Sequence, residues 1–146
     1  MYLKSVEING FKSFANKINI EFKDGITSIV GPNGSGKSNI LDAILWALGE
    51  QSNKNIRAKS GTDVIFSGGK NYNPKNMAEV SLLIDNSSKF LLIDFSEIKI
   101  TRRIYRTGEN EYFINNNKVR LKDINDLFTD TGIGKEAYSV IGQGKV

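Results

Sequence analysis

Residues 26–39 read Ile26-Thr27-Ser28-Ile29-Val30-Gly31-Pro32-Asn33-Gly34-Ser35-Gly36-Lys37-Ser38-Asn39, and this stretch decides the fold. A short, mostly apolar run at 26–30 predicts a buried strand. Residues 31–38 then match G-x-x-x-x-G-K-[ST] without a mismatch. The spacing answers to phosphate geometry. Glycines let backbone N–H groups turn inward and approach anionic oxygens with no Cβ in the way. The helix that follows aims its unsatisfied N–H groups and positive dipole end at the same anion. In such a pattern Lys37 reaches the β/γ-phosphates and the Ser38 hydroxyl can ligate Mg²⁺.

Working outward, Ile40, Leu41, Ile44, Leu45 and Leu48 recur at helical spacing, and Gly49 stands where a left-handed cap would end the helix. Upstream, period-two patterns predict strands near 2–10 and 17–23, with Asp24-Gly25 turning into the run at 26–30. Downstream, 51–76 is polar and reads as mostly loop, with one short element near Asp63 to Phe66. Alternation returns at 78–85, with Ala78, Val80, Leu82 and Ile84 on one face and Glu79, Ser81 and Asp85 on the other. Ile98, Ile100 and Ile104 predict another strand, joined through Thr107-Gly108-Glu109-Asn110 to a hairpin partner at 112–114. Leu121, Ile124, Leu127 and Phe128 mark a short helix ending near Gly132, and 138–141 reads as a last buried strand. The plan is a strand–loop–helix unit followed by an antiparallel meander.

Composition narrows the chemistry. The 146 residues are close to one ordinary domain, 39% hydrophobic and 25% charged, which is globular composition. There is no cysteine and no histidine. Disulfides, thiol catalysis, Ser-His-Asp triads and nearly every zinc hydrolase are therefore excluded. Twenty basic residues against 16 acidic ones give +4, an excess that permits an anionic partner. Residues 1–10 lack the apolar run of an export signal, and the apolar stretch 40–48 is broken by Asp42 and far short of the ~20 residues a membrane span needs. A soluble, cytoplasmic protein with no membrane partner is expected.

The motif predicts a nucleoside triphosphate with Mg²⁺. A guanine-reading N-K-x-D segment is absent, since Asn16-Lys17, Asn53-Lys54 and Asn117-Lys118 each continue wrongly, so adenine is favoured. The usual partner acid for Mg²⁺ is harder to find. Phe90-Leu91-Leu92-Ile93-Asp94 and Leu82-Leu83-Ile84-Asp85 imitate the apolar strand that ends in such an aspartate, but neither Asp is followed by Glu. A plain hairpin strand is the preferred reading of both, so the chain reads as equipped to hold a triphosphate and poorly equipped to hydrolyse it.

Several blocks together resemble the structural-maintenance-of-chromosomes (SMC) family, closest to its bacterial chromosome-condensation members. They are Leu3-Lys4, Gly10-Phe11-Lys12-Ser13-Phe14, the run from Gly31 to Asn39, Trp46-Ala47-Leu48-Gly49-Glu50-Gln51, Arg57, Asp63-Val64-Ile65-Phe66, Thr131-Gly132-Ile133-Gly134 and the stretch from Tyr138 to Val146. The resemblance covers essentially the whole chain. It implies an α/β P-loop NTPase of the transporter-type ATPase head, here its N-terminal lobe, with a mixed β-sheet, the P-loop helix and an antiparallel β-meander. In that family the head is split. The aspartate strand, a catalytic Glu and a Leu-Ser-Gly-Gly-type motif belong to a C-terminal lobe reached after a coiled coil, a hinge and a returning coiled coil. The chain is accordingly expected to be half of a head, spanning the P-loop to the glutamine loop, nearly inactive alone and only marginally stable.

The resemblance also implies roles. Gly31, Pro32, Asn33, Gly34, Ser35, Gly36, Lys37, Ser38 and Asn39 would line the ATP phosphates, with the Asn33 amide near the γ-phosphate. Lys37 and Gln143 would be catalytic, and Gln143 would join Ser38 at Mg²⁺ and touch the attacking water. Lys12 and Ser13 would lie beside the nucleotide, and Arg57 would reach it and help couple DNA to ATP turnover. Implied partners are the chain's own C-terminal lobe, a second head, a kleisin-type subunit and DNA bound without sequence preference. Lys54, Arg57, Lys59, Lys70 and Lys75 cluster in the long loop, and Lys118, Arg120 and Lys122 in a short basic segment. Lys59, Arg120 and Lys122 are the expected DNA contacts, through phosphates and hence strongly salt-dependent. Three other readings compete: a DNA-repair or recombination ATPase head, a self-contained phosphotransferase using Asp94, and a nucleotide-dependent interaction domain without catalysis.

Overall fold

The computed structural model describes residues 2–22, 35–49, 61–69, 72–89, 91 and 93–129. The expected strands at 26–30 and 138–141 and the helix end near Gly132 lie outside them. Within them, six strands and two helices follow the chain: β1 (Tyr2–Asn9), β2 (Ile18–Glu21), α1 (Ser35–Ala47), β3 (Met77–Asp85), β4 (Glu97–Tyr105), β5 (Asn110–Ile114), β6 (Asn117–Val119) and α2 (Leu121–Thr129). The strands form one sheet in the order β2-β1-β3-β4-β5-β6, and every pairing is antiparallel.

Register follows from the period-two pattern, because a one-residue slip would turn each apolar set outward. Val6 pairs with Leu82 and Ile8 with Val80, while Leu82 faces Ile100 and Ile84 faces Ile98. The pairing of β1 with β3 shifts between Leu3 and Ser5, a bulge that keeps Leu3 and Val6 both in the core. The opposite face is less open than alternation suggests. Ser81 and Thr101 sit across from each other there, both buried, and their hydroxyls share a 2.8 Å hydrogen bond.

Helix α1 packs on β3 and β4. Its fully buried residues are Ala43, Ile44, Trp46 and Ala47, joined just past its end by Leu48, whereas Ile40, Leu41 and Leu45 are half-buried. The apolar stripe read from large side chains is thus rotated toward the two alanines, which allow close approach to the sheet. Gly49, at φ +106°, ends the helix as its position promised.

Two segments depart from expectation. Leu91, Ile93 and Asp94 lie outside any strand. Leu91, Ile93 and Phe95 instead turn their backbone toward Asn86, which is wholly buried. The Asn86 Nδ2 group donates to the carbonyls of Leu91, Ile93 and Phe95 at 3.0–3.4 Å, and Oδ1 accepts the Leu91 N–H at 2.9 Å. A side-chain amide that satisfies the backbone locally removes the need for a ladder partner. The second departure is β6, which alternation does not foretell in three residues. Its signal is Asn115-Asn116, at φ +49° and +70°, a two-residue hairpin turn with both central residues left-handed.

Between β1 and β2 the chain makes a tight excursion. Gly10 has φ +70°, and a Cβ there would stand 2.5 Å from the Met77 carbonyl oxygen. Its carbonyl accepts the Phe66 N–H at 2.7 Å, and the Lys12 N–H donates to Val64 at 2.6 Å. The 3₁₀ turn Gly61–Val64, the short element expected near Asp63, therefore clips this excursion in place. Gly10→Ala combines left-handed strain with a backbone clash and should cost about 2–3 kcal/mol, read as a lowered denaturant midpoint.

Candidate functional site

The motif's second half forms the first turn of α1, where Ser35, Gly36, Lys37 and Ser38 have helical backbone. That turn carries no acidic residue. A helix N-terminus without a carboxylate, with lysine in its sequence, suits an anion. Among the described residues no group of three carboxylates could hold a metal ion. A Mg²⁺ ion here would rest on Ser38, water and phosphate oxygens, the donor set the motif provides. Gly31, Pro32, Asn33, Gly34, Arg57, Lys59 and Gln143 lie outside the described residues.

The excursion at 11–14 meets α1 along one stripe. Asn39, Asp42 and Trp46 follow at i, i+3 and i+7, so they share a face. Asn39 Nδ2 donates to Ser13 Oγ at 2.8 Å. Lys12 Nζ donates to Asp42 Oδ2 at 2.9 Å, with both side chains largely buried. Phe11 lies against Trp46 with ring centroids 5.2 Å apart. Lys12 can point this way because its backbone is left-handed, at φ +52°. Lys12, Ser13 and Asn39 are thus brought together, with their described contacts running to one another and to the body of the helix.

Asp42 was missed as a site residue. Its signal was plain, a carboxylate interrupting an apolar run. Arg102 was missed too, and the pattern flagged it: Ile98, Ile100, Arg102 and Ile104 share the inward parity of β4. Arg102 is buried, bonded to the Trp46 carbonyl at 3.0 Å and to Asn110 Oδ1 at 3.1 Å.

The aspartates that imitate a metal-binding strand end serve other purposes. Asp85 Oδ1 accepts the Ser87 N–H at 3.0 Å and the Ser87 hydroxyl at 2.7 Å, and these bonds hold its pKa below the usual carboxylate range. Asp94 stands in open solvent in the loop around Asn86, 3.7 Å from Lys89. The phosphotransferase reading needs Asp94 at a buried strand end and does not find it there.

The basic segment at 118–122 crosses from β6 into α2. Asp123 is the third helical residue and accepts the Arg120 backbone N–H at 2.9 Å, one half of a capping box. It also pairs with the Arg120 guanidinium at 3.2 Å, while Lys122 pairs with Asp126 at 2.8 Å. These partners, chiefly through side-chain hydrogen bonds, raise the pKa of both cations, and Arg120 lowers that of Asp123. Exposed pairs of this kind are weak and yield readily to a competing phosphate. A separate network outside the core joins Arg103 to Glu79 at 2.6 Å and to Glu111 at 3.1 Å, and its guanidinium stacks on Phe113.

A glycine-rich motif whose second half opens a helix seated on an antiparallel sheet places the fold among P-loop NTPase heads. The chain belongs to the RecF/RecN/SMC N-terminal domain family, whose model matches residues 2–145. It is 70% identical over 146 residues to the chromosome partition protein Smc of Fusobacterium nucleatum and 56% identical to that of Bacillus subtilis. All of this chain is matched in both, yet it spans only 12% of the length of either relative. Among solved structures, it is similar to the Smc head domain with a coiled coil and joint from Pyrococcus yayanosii. That match has 42% identity and TM-score 0.88, over 98% of this chain and 28% of the other. An SmcHead bound to the C-winged helix domain of ScpA matches at 43% identity and TM-score 0.84, over 90% and 41%. The recombination mediator RecF with ATP matches less well, at 27% identity and TM-score 0.60 over 82% and 28%. Among the described residues no helix is long and apolar enough to cross a membrane.

The ion pairs on α1 and α2 differ in burial, and salt should separate them. Asp42→Asn removes the carboxylate charge that faces the enclosed Lys12 ammonium and should cost about 1–3 kcal/mol. The loss should persist in 1 M NaCl, where the ~3 Å Debye length has screened surface pairs. Lys122→Ala should leave the thermal midpoint where it was at either salt concentration.

Proposed function

We propose that this chain is the ATP-binding N-terminal half of a chromosome-partition ATPase head. The observation that carries the reading is the junction of residues 31–38 with α1, an acid-free helix start in a chain of the RecF/RecN/SMC family. Backbone N–H groups of the loop and of the first helical turn bind the triphosphate, and Lys37 neutralises its β/γ oxygens. Ser38 and Gln143 would hold Mg²⁺, which when bound would supply positive charge beside the phosphate oxygens. Asn33 and Arg57 complete the nucleotide contacts. Lys12, Ser13 and Asn39 border the site and keep α1 in register.

The acid that activates water comes, in this reading, from the C-terminal lobe of the same polypeptide, and ATP held between two such heads joins them. Three comparisons support the assembly. One relative of known structure is an SMC head bound to the winged-helix domain of ScpA, a kleisin-type contact. Another, 40% identical with TM-score 0.87, comes from work on ATP-driven dimerization and DNA stimulated activation of SMC ATPases. The third is RecF solved with ATP. The weaker match of RecF favours a chromosome-partition head over a recombination one. The protein would act on the chromosome in the cytoplasm, with Lys59, Arg120 and Lys122 meeting DNA phosphates.

Turnover tests the first half of this reading. The chain alone should hydrolyse ATP negligibly, recover activity when a C-terminal lobe is supplied, and lose it again with Lys37→Ala. Robust hydrolysis by the chain alone, abolished by Asp94→Ala, would sink the half-head reading. DNA tests the second half. The Arg120→Glu, Lys122→Glu double variant should bind duplex DNA more weakly and lower the salt slope by roughly 2. Affinity equal to the parent's removes both residues from the DNA surface.

A further inference from the structure

The residue that the reading above leaves unused is Arg102. It lies on the core face of β4, opposite Val80 of β3 and Tyr112 of β5, and is only 6% exposed. A guanidinium so enclosed is costly unless its donors are met and its charge has a counterpart. Here Nη1 donates to the Trp46 carbonyl at 3.0 Å and Nε to Asn110 Oδ1 at 3.1 Å. The planar group lies 4.5 Å from the Trp46 ring centroid and 5.2 Å from that of Tyr112, a position that gains cation–π attraction from both.

Trp46 belongs to the last turn of α1, so Arg102 sets a positive charge on the negative end of the helix dipole. That turn contains no basic residue of its own. The cation a helix C-terminus favours is therefore supplied from the sheet. An apolar side chain would fill the same space without the desolvation cost. What arginine adds is direction, because its rigid fork reads a carbonyl and an amide oxygen at once. Trp46 also meets Phe11, the residue before Lys12. The end of α1 is thus held by the sheet and by the excursion at 11–14, about 15 Å along the 13-residue helix from the turn that faces the phosphates.

We infer that Arg102 is a positioning residue for nucleotide binding: by fixing the C-terminal end of α1 on β4, it sets the helix's axial position and roll and so aims the phosphate-binding turn. This rests on the ATP-binding reading, and the experiment separates the two. Trp46 is the one tryptophan in the 146 residues, so its emission reports the Arg102 contact directly. Arg102→Met and Arg102→Lys in the full chain would be compared with the parent at a temperature well below each melting midpoint. Mg-ATP affinity would be measured by calorimetry and indole emission recorded without nucleotide. The expected result is a Kd weakened about tenfold, short of the ~10²-fold that a 1 Å misplacement can cost a site, together with shifted Trp46 emission. Should the Met variant fail to fold, the Lys variant carries the test, since one ammonium cannot span the carbonyl and Asn110 together. A lowered midpoint with parental Kd would make Arg102 a core contact only and overturn the inference. Lys37→Ala should abolish ATP binding while leaving nucleotide-free Trp46 emission unchanged. ATP binding that survives Lys37→Ala would overturn the nucleotide reading itself.

Discussion

A helix that offers its bare N–H groups to a polyanion cannot use that end to hold itself in place. Ordinary helices fasten their first turn with a capping side chain and an acidic residue, as α2 does through Asp123. The first turn of α1 has no acid, an arrangement that suits an anion rather than the helix itself. Its grip must come from elsewhere, and much of the described polar structure lies where such a grip is needed. Asn39 and Asp42 hold the middle of α1 to Ser13 and Lys12, and Arg102 holds the end to β4.

The sheet supplies the fixed frame for these contacts. Its central strands are long, buried on the face toward α1, and locked in register by isoleucine, leucine and valine, whose burial is worth roughly 1.5–3 kcal/mol each. The loops are tied with equal economy. Asn86 satisfies four backbone groups of its own loop, Arg106 reaches the carbonyls of Phe66 and Lys75, and Gly10 permits a turn that a Cβ would block. The excursion carrying Lys12 and Ser13 is therefore placed by backbone hydrogen bonds before its side chains ever meet the helix.

This hierarchy explains what could be read in advance. The strands β1, β3, β4 and β5 and helix α1 were legible because each repeats a simple period over enough residues. The helix start at the motif's second half was legible because the glycine-lysine-serine pattern fixes where a helix begins. The backbone at Leu91, Ile93 and Phe95 was not, since its conformation depends on a single asparagine reaching four groups, a tertiary fact hidden in an apolar run that looks like a strand. β6 is too short for alternation and is announced only by two asparagines. Asp42 and Arg102 fell between the two kinds of signal. Each looks like an interruption of a core pattern, and only the fold shows that the interruptions meet partners: Asp42 at Lys12, Arg102 at the last turn of the same helix.

Charge along α1 follows from the same constraint. Lysine in the first turn of a helix works against the dipole by about 0.3–1 kcal/mol, and lacking an acid there forgoes a similar gain. α1 carries both penalties at its N-terminus and has no base of its own in its last turn. Considered alone, its sequence is electrostatically inverted. An anion at the N-terminus reverses the first penalty, and Arg102 from β4 corrects the second in the absence of any ligand. Only the N-terminal end is thus left unmatched within the fold, and an anion bound there would draw on the free energy of that mismatch.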